Sequence, residues 1–488
     1  MRSTLRRPRA LLLAAAALLA AAALVTGLDG SGESALAAHK KQPSRPNVIV
    51  IMTDDQTVES LRIMANVEAL VAKQGVTFTN NFVSYSLCCP SRSTFLTGQY
   101  AHNHGIMGNA PPEGGYDKLE PTHANTLPNW LRAAGYHTVH LGKYLNGYTG
   151  DDGVPPGWDE WYGAVDPSTY SFYRYTLNEN GTLHTYGDAP FDYQTDVYTN
   201  KAVDIIRRLA PKKRPFFFWL AYLAPHSGKP DEPDDPSGLA TPVPAPRHHD
   251  RFAAEALPTP PSLNEADVSD KPVGIRSRPL LGPEGLAAIR ESYQQRLESL
   301  LAVDEGVARI VDALRRAHEL RNTYIVFTSD NGFFHGEHRV PDGKVLLYEP
   351  SIRVPLLMRG PGIPRGRSSS AMVANIDLAP TILAIAHARP GRIEDGVSLL
   401  PIAKGRAGLR ERDLLIERGG TGPSVFTAVR TRRYLYAAYA NGEQELYDLQ
   451  TDPDELQSRH ADPAYGAIKA DLAARLARLR TCAGLTCR

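Results

Sequence analysis

No excess of one charge sign marks this chain: 54 Lys and Arg stand against 53 Asp and Glu, a formal net charge of +1. That balance excludes the broad basic field with which proteins follow nucleic acid or an anionic membrane surface. Removing a leader that ends at Ala37 would take away Arg2, Arg6, Arg7 and Arg9 with Asp29 and Glu33, turning +1 into −1. Any grip on an anionic ligand must therefore be local. The N-terminal apolar stretch Leu11–Val25 is rich in alanine and shorter than the roughly 20 residues a spanning helix needs. Preceded by four arginines and followed by Ala35-Leu36-Ala37, it reads as a cleaved export signal over residues 1–37, with no stable membrane anchor. The expected location is secreted or extracytoplasmic. Cysteine is scarce as well, with four residues placed as Cys88-Cys89 and Cys482 with Cys487. None lies near the cleavage site, which excludes a lipoprotein anchor. In an exported chain the C-terminal pair is expected to close a small disulfide loop. A disulfide between neighbours is strained, so Cys88 and Cys89 call for another role.

What the chain does have is the composition of a soluble globular enzyme, 42% hydrophobic and 22% charged. Its 488 residues suit one large domain with an appendage, or two or three domains. Four apolar runs each end at polar residues: 47–52 at Asp54-Asp55, 137–141 at Gly142-Lys143, 215–222 at Pro225-His226, and 323–328 at Asp330-Asn331-Gly332. Such continuous runs suit strands buried on both faces of a largely parallel sheet. Helices are expected between them, at 65–74 and 127–134 with Gly75 and Gly135 as left-handed stops, and over about 283–320. The alternation predicts an α/β fold of three layers, α/β/α, around a large mixed, mostly parallel sheet. Ligands in such folds sit beyond the carboxyl ends of the strands, where these four runs deliver their polar residues. Residues 227–283, rich in Pro, Asp and Ser, read as a surface excursion, either a flap over the site or a tolerated insertion. From about residue 405 the pattern changes to short strands at 425–429, 434–439 and 445–449, a hairpin turn at Asn441-Gly442, and a closing helix at 465–480. This predicts a small antiparallel C-terminal appendage, α+β, over 405–488.

One short window is dense with defined positions. Cys88-Cys89-Pro90-Ser91-Arg92 followed by Leu96-Thr97-Gly98 resembles the first motif of the sulfatases. Pro90 can take the first helical position, which puts residue 88 just before a helix N-terminus that favours an anion. The likeness extends over most of the mature chain, with the segment 46–56, Gly142-Lys143-Tyr144, Gly157-Trp158-Asp159, Pro225-His226, Ser329-Asp330-Asn331-Gly332, Lys344 and the segment 375–381 in the expected order. It defines an expected catalytic domain over 45–400. Tyr100-Ala101-His102-Asn103-His104 and Gly142-Lys143-Tyr144-Leu145-Asn146 resemble the N-acetylglucosamine-6-sulfatase and endosulfatase branch.

The resemblance implies that Cys88, and not Cys89, is oxidised to formylglycine (3-oxoalanine) by a formylglycine-generating enzyme, and that its hydrate attacks sulfur. It implies that Asp54, Asp55, Asp330, Asn331 and residue 88 hold one calcium ion. Oxygen donors alone suit calcium or magnesium and not zinc. Taken singly, Asp54-Asp55 could be a helix cap and Asp330-Asn331-Gly332 a turn. Lys143 and Lys344 would hold sulfate oxygens, and Arg92, one turn after Cys88, would reach the residue-88 hydroxyls. His226 is the candidate general acid for the departing alkoxide. His102 and His104 either line the substrate pocket or sit in a solvated turn. Many arylsulfatases carry a histidine two residues after the lysine equivalent to Lys143, where this chain has Leu145.

The implied activity is hydrolysis of sulfate esters of small molecules or glycans, with 6-O-sulfated glucosamine of glycosaminoglycans favoured. Three alternatives remain open at this stage: an arylsulfatase of broad specificity, a phosphate or phosphonate ester hydrolase on the same fold, and a non-catalytic glycan binder with an unmodified Cys88. No nucleic-acid partner is expected.

Overall fold

The computed structural model describes residues 45–488 apart from 211, 234 and 407–410, so the expected leader lies outside the described residues. Ten strands form the main sheet: β1 Asn47–Thr53, β2 Val76–Phe82, β3 His137–Gly142, β4 Glu160–Ala164, β5 Thr176–Glu179, β6 Thr182–Thr185, β7 Phe216–Ala221, β8 Thr323–Ser329, β9 Leu356–Arg359 and β10 Arg367–Ala374. Their order is β10-β2-β9-β8-β1-β7-β3-β4-β5-β6. The five central strands, β8-β1-β7-β3-β4, are parallel throughout. β9 runs antiparallel to both neighbours, and β5 and β6 form an antiparallel edge hairpin.

The apolar runs are continuous because both faces of this sheet are covered. Ile49 and Ile51 of β1 join a core with Val203 and Ile206 of the helix Gln194–Leu209 and Val303, Val307 and Ile310 of the helix Pro283–Arg316. Val48, Val50 and Met52 join a second core with Phe95 and Leu96 of the helix Cys88–Thr97, Leu131 of Leu127–Ala133 and Ile382 of Leu378–Ala386. The three-layer architecture is the one expected.

A second sheet follows, β11 Leu414–Arg418, β12 Phe426–Arg430, β13 Tyr434–Tyr439 and β14 Gln444–Asp448, antiparallel in chain order. Gly442, at φ 90°, closes the hairpin expected at Asn441-Gly442. Leu472 and Leu476 of the closing helix Gly466–Leu479 share a core with Phe82, Tyr100 and Tyr348. Cys482 and Cys487 are disulfide-bonded. β11 was not expected: Leu-Leu-Ile-Glu-Arg lacks alternation, since all but its last residue are buried.

Other expectations needed adjustment. The segment 65–74 is one α turn, Ala65–Val67, continued as a π-helical segment, Glu68–Ala72, and the Asp304 carboxylate accepts the Asn66 and Val67 N–H groups. Gly75 is needed for close approach, because a Cβ there would meet the Met358 carbonyl oxygen at 2.1 Å. Gly135, at φ 85°, is the left-handed stop expected. Residues 227–283 contain one helical turn, Val273–Arg276. Arg247 pairs with Asp196 and Glu305, and Arg339 reaches the carbonyls of Glu265 and Ala266, which pins this excursion to the helical layer and the 336–340 loop.

Candidate active site

The parallel register sets the site. Thr53 pairs with Ser329, Met52 with Ala221, and Gly142 with Ala221, so β1, β8, β7 and β3 end at one level. The residues that follow therefore converge. Asp54, Asp55, Cys88 and His226 place one potential ligand atom each within 4.8 Å of all the others. Asp55 takes a positive φ of 66°, a conformation Asp tolerates better than most residues. Gly332 leaves room for the return chain, because a Cβ there would meet the Pro350 carbonyl oxygen at 2.1 Å.

Cys88 and Cys89 face opposite ways. The Cys88 sulfur receives a hydrogen bond from Lys344 Nζ at 3.0 Å and lies 3.5 Å from Asp54 Oδ1. Cys89 points into the core beside Phe95, and its N–H is taken by Asn109 Oδ1 at 2.9 Å. The helix begins two residues earlier than the position of Pro90 suggested. Leu87 is extended and its carbonyl accepts the Ser91 N–H at 2.9 Å, so Cys88 is the first helical residue and Pro90 the third. Proline costs nothing there, since the first N–H groups of a helix have no intrahelical partner. Burial, with the Asp54 charge beside it, pushes the Cys88 thiol up to about 12 against the opposing pull of Lys143 and Lys344. An unmodified Cys88 is therefore a protonated thiol and a poor nucleophile at neutral pH.

Charges of both signs fill the space around it. Arg92 is fully buried, with Nε on Asp330 Oδ2 at 2.8 Å, Nη2 on Asp54 Oδ2 at 3.2 Å and Nη1 on the Lys143 carbonyl at 2.6 Å. Its described hydrogen bonds go to the two carboxylates and to the Lys143 and Tyr144 carbonyls. Lys143 pairs with Asp54, and Lys344 pairs with Asp55 and lies 4.0 Å from Asp54 Oδ1. Burial alone would raise Asp54, but Lys143, His226, Arg92 and Lys344 hold it well below the usual carboxylate range. Asp55 is lowered in the same way, its burial outweighed by Lys344 and His226. Asp330 goes the other way, raised by burial and by the Asp54 charge. His226 donates from Nδ1 to the Ser227 carbonyl at 2.7 Å and places Nε2 3.6 Å from Asp55 Oδ2. Burial lowers its imidazole to about 4 although Asp55 and Asp54 oppose that shift.

The donor set fits a hard cation. Three carboxylates, Asp54, Asp55 and Asp330, meet the amide of Asn331, whose Nδ2 donates to Asp55 Oδ1 at 2.5 Å. Its Oδ1 is buried with no hydrogen-bond donor among the described residues, an arrangement that costs free energy unless a cation or proton donor faces it. Oxygen donors of this kind suit calcium or magnesium.

All nine residues predicted from sequence, Asp54, Asp55, Cys88, Arg92, Lys143, His226, Asp330, Asn331 and Lys344, belong to this cluster. His102 and His104 do not. His102 bridges Glu417 and the Cys482 carbonyl at 2.8 and 2.9 Å, tying the second sheet to the disulfide loop, and His104 Nε2 pairs with Thr94 Oγ1 at 3.0 Å. They hold structure together, neither lining the cluster nor standing free in solvent. Two residues went unnoticed in the sequence. Arg296 donates from Nη2 to the Asp55 carbonyl at 2.6 Å and stacks 3.7 Å from the Phe333 ring centroid. Its signal was an arginine inside the apolar stripe of a long helix. Tyr170 also flanks the cluster, its ring beside Lys143, and nothing local in the sequence marks it; Asn146, part of the motif quoted above, donates to its hydroxyl.

Comparison with known proteins agrees with this geometry. Residues 46–388 match the family described as Sulfatase, and residues 336–482 match the C-terminal region of N-sulphoglucosamine sulphohydrolase. The chain is 34% identical to the N-acetylglucosamine-6-sulfatase of Homo sapiens, over 91% of this chain and 86% of that one. It is 34% identical to an arylsulfatase of Volvox carteri, over 93% and 77%. A structure solved with its substrate D-glucosamine-2-N,6-O-disulfate superposes with a TM-score of 0.74 at 25% identity, covering 89% of this chain and 97% of that one.

Proposed function

The chain belongs to the sulfatase family of sulfuric ester hydrolases, and from that premise we propose that it removes 6-O-sulfate from glucosamine units, using an aldehyde formed from Cys88 and one calcium ion. The observation that carries this reading is the orientation of Cys88, whose sulfur alone of the two neighbours faces Lys344, Asp54 and the cluster of oxygen donors. The 6-O-sulfated sugar is supported by the glucosamine-6-sulfatase relative and by the substrate held in the superposed structure. Export, with conversion of Cys88 by a formylglycine-generating enzyme, is supported by the leader sequence and the C-terminal disulfide.

When present, the hydrated aldehyde supplies the oxygen nucleophile, and calcium, held by Asp54, Asp55, Asp330 and Asn331, supplies charge stabilisation at the sulfate oxygens. The chain's own side chains do the rest. Lys143 and Lys344 bring ammonium groups to the sulfate oxygens and offset charge as the ester bond breaks. Arg92 holds Asp54 and Asp330 in place from beneath. His226, facing the same space through Nε2, gives a proton to the departing sugar oxygen.

The discriminating measurement is turnover of N-acetylglucosamine 6-sulfate, an aryl sulfate, an aryl phosphate and an aryl phosphonate by the same preparation. Preference for the sugar sulfate is expected; a large preference for phosphate or phosphonate would overturn the proposal. Chelation by EDTA is expected to abolish turnover, and calcium to restore it. Full activity after exhaustive chelation would remove the metal from the proposal.

His226 provides a further prediction. As an acid with its imidazole near 4, its protonated fraction falls about tenfold per pH unit above that value. Turnover of alkyl sulfates should therefore decline between pH 5 and 7 in the wild type. His226→Asn should flatten that decline and lower turnover by about 10²-fold or more on sugar sulfates, but far less on aryl sulfates with good leaving groups. Equal losses on both substrate classes would take the proton away from His226.

A further inference from the structure

The position where arylsulfatases carry a histidine is Leu145 here, and it is buried in the core. The next residue, Asn146, turns toward the site and donates from Nδ2 to the Tyr170 hydroxyl at 2.5 Å. The Tyr170 ring then stands between two residues of the proposed reaction. Its centroid lies 4.7 Å from Lys143 Nζ and 4.9 Å from the His226 ring centroid.

Lys143 needs such a partner. Among the described residues its buried ammonium finds no aligned hydrogen-bond acceptor, and its ion pair with Asp54 fixes distance without fixing direction. An aromatic face attracts an ammonium placed over it and so adds a second, directional constraint. His226 is held at one edge by the Ser227 carbonyl and packs against Tyr170 with its ring.

The backbone around Tyr170 is clamped to the loop that carries His226. The Lys229 N–H donates to the Tyr170 carbonyl at 2.8 Å, and the Phe172 N–H donates to the Lys229 carbonyl at 2.7 Å. Gln194 Nε2 donates to the Thr169 and Ser171 carbonyls at 3.3 and 2.8 Å. Gly228 permits the contact, since a Cβ there would meet the Tyr170 carbonyl oxygen at 2.7 Å. A tyrosine serving only the core would not present its half-buried ring to a lysine and a histidine of the site.

We propose that Tyr170 is a positioning residue: its ring, anchored at the hydroxyl by Asn146, holds the Lys143 ammonium and the His226 imidazole in their working geometry. The inference rests on the sulfatase reading of this site.

The test compares wild type, Tyr170→Phe, Tyr170→Leu and the double variant Asn146→Ala/Tyr170→Phe, each with its Cys88 conversion measured and its fold checked by thermal unfolding. On a sugar sulfate, Tyr170→Leu is expected to lower kcat by about 10- to 100-fold with KM changed less than about threefold, because misplacement of reacting groups acts on the chemical step. Tyr170→Phe keeps the ring and should lose about threefold, and removing Asn146 as well should add little, since the amide acts through the hydroxyl. A Tyr170→Leu variant within twofold of wild type, a rise in KM with kcat unchanged, or a Tyr170→Phe as damaged as Tyr170→Leu would each overturn the proposal. Crystal structures of wild type and Tyr170→Leu give a readout free of activity: Lys143 Nζ and the His226 ring are expected to shift, and unmoved groups would overturn the proposal. If converted wild type hydrolyses no sulfate ester, the sulfatase reading fails, while these structures still decide the role of Tyr170.

Discussion

Cys88→Ala should lose at least about 10³-fold in sulfate ester turnover, whereas Cys89→Ala should stay within a few-fold of wild type. The two residues are adjacent and equally hidden from solvent, so burial does not separate them. Direction does. Cys88 receives a hydrogen bond from Lys344 and faces Asp54, while Cys89 fills the apolar layer and costs stability rather than chemistry when truncated. Burial and the Asp54 charge push the thiol up and so disfavour the thiolate that would be the nucleophile. The proposed activity rests on conversion of Cys88, and conversion has a mass signature. Exchanging the thiol for an aldehyde makes the tryptic peptide Gln74–Arg92 about 18 Da lighter, whereas ordinary cysteine oxidation adds oxygen and makes it heavier. Fragment ions should place the loss at residue 88, and turnover should scale with the converted fraction. Full activity in a preparation with an intact, alkylatable thiol at position 88 would end this account.

How much of this was legible beforehand follows from where the information sits in the chain. β1, β3, β7 and β8 could be read because each is a continuous apolar run, buried on both faces, with its polar residues immediately after it. β2 and β10 could not. Val-Thr-Phe-Thr-Asn-Asn-Phe and Arg-Ser-Ser-Ser-Ala-Met-Val-Ala, the second of them the edge strand and the first its neighbour, carry polar residues among their apolar ones and pair across about 290 residues of chain. Eight of the nine clustered residues were legible because each follows a strand end or lies within a dense motif, whereas Lys344, in a loop well past β8, was placed by the resemblance alone. Tyr170 was not legible, since its relation to Lys143 and His226 comes from a backbone clamp between two separate loops. His102 failed for the opposite reason, while His104 pairs with Thr94 one helix away. The local motif was informative, but the groups that claim His102, Glu417 and the Cys482 carbonyl, are more than 300 residues away.

Arg92 is where the fold and the chemistry are hardest to separate, and its removal should be the most destabilising change at the site. Arg92→Ala leaves the carboxylates of Asp54 and Asp330 in a dry pocket without the guanidinium that bridges them. Losing one partner of a buried charge pair costs about 3–5 kcal/mol, because the remaining charge keeps its desolvation penalty. Arg92→Lys should recover only part of this. A single ammonium cannot at once reach Asp330 at 2.8 Å, Asp54 at 3.2 Å and the Lys143 carbonyl at 2.6 Å, as the planar fork does. The deficit should depend on pH with a definite sign. Burial and the Asp54 charge already raise Asp330, and an acid raised in the folded state destabilises the fold only where it is ionised. Removing Arg92 raises it further, so the stability gap between variant and wild type should be widest near neutral pH and narrow as Asp330 takes up its proton on acidification. Calcium should narrow the gap too, by binding the carboxylates that Arg92 no longer neutralises. Urea unfolding of wild type, Arg92→Ala and Arg92→Lys at pH 7 and pH 5, with calcium and with chelator, measures all of these. A loss below about 1 kcal/mol for Arg92→Ala, or one independent of pH, would mean that Asp54 and Asp330 are neutralised by Lys143 and Lys344 alone.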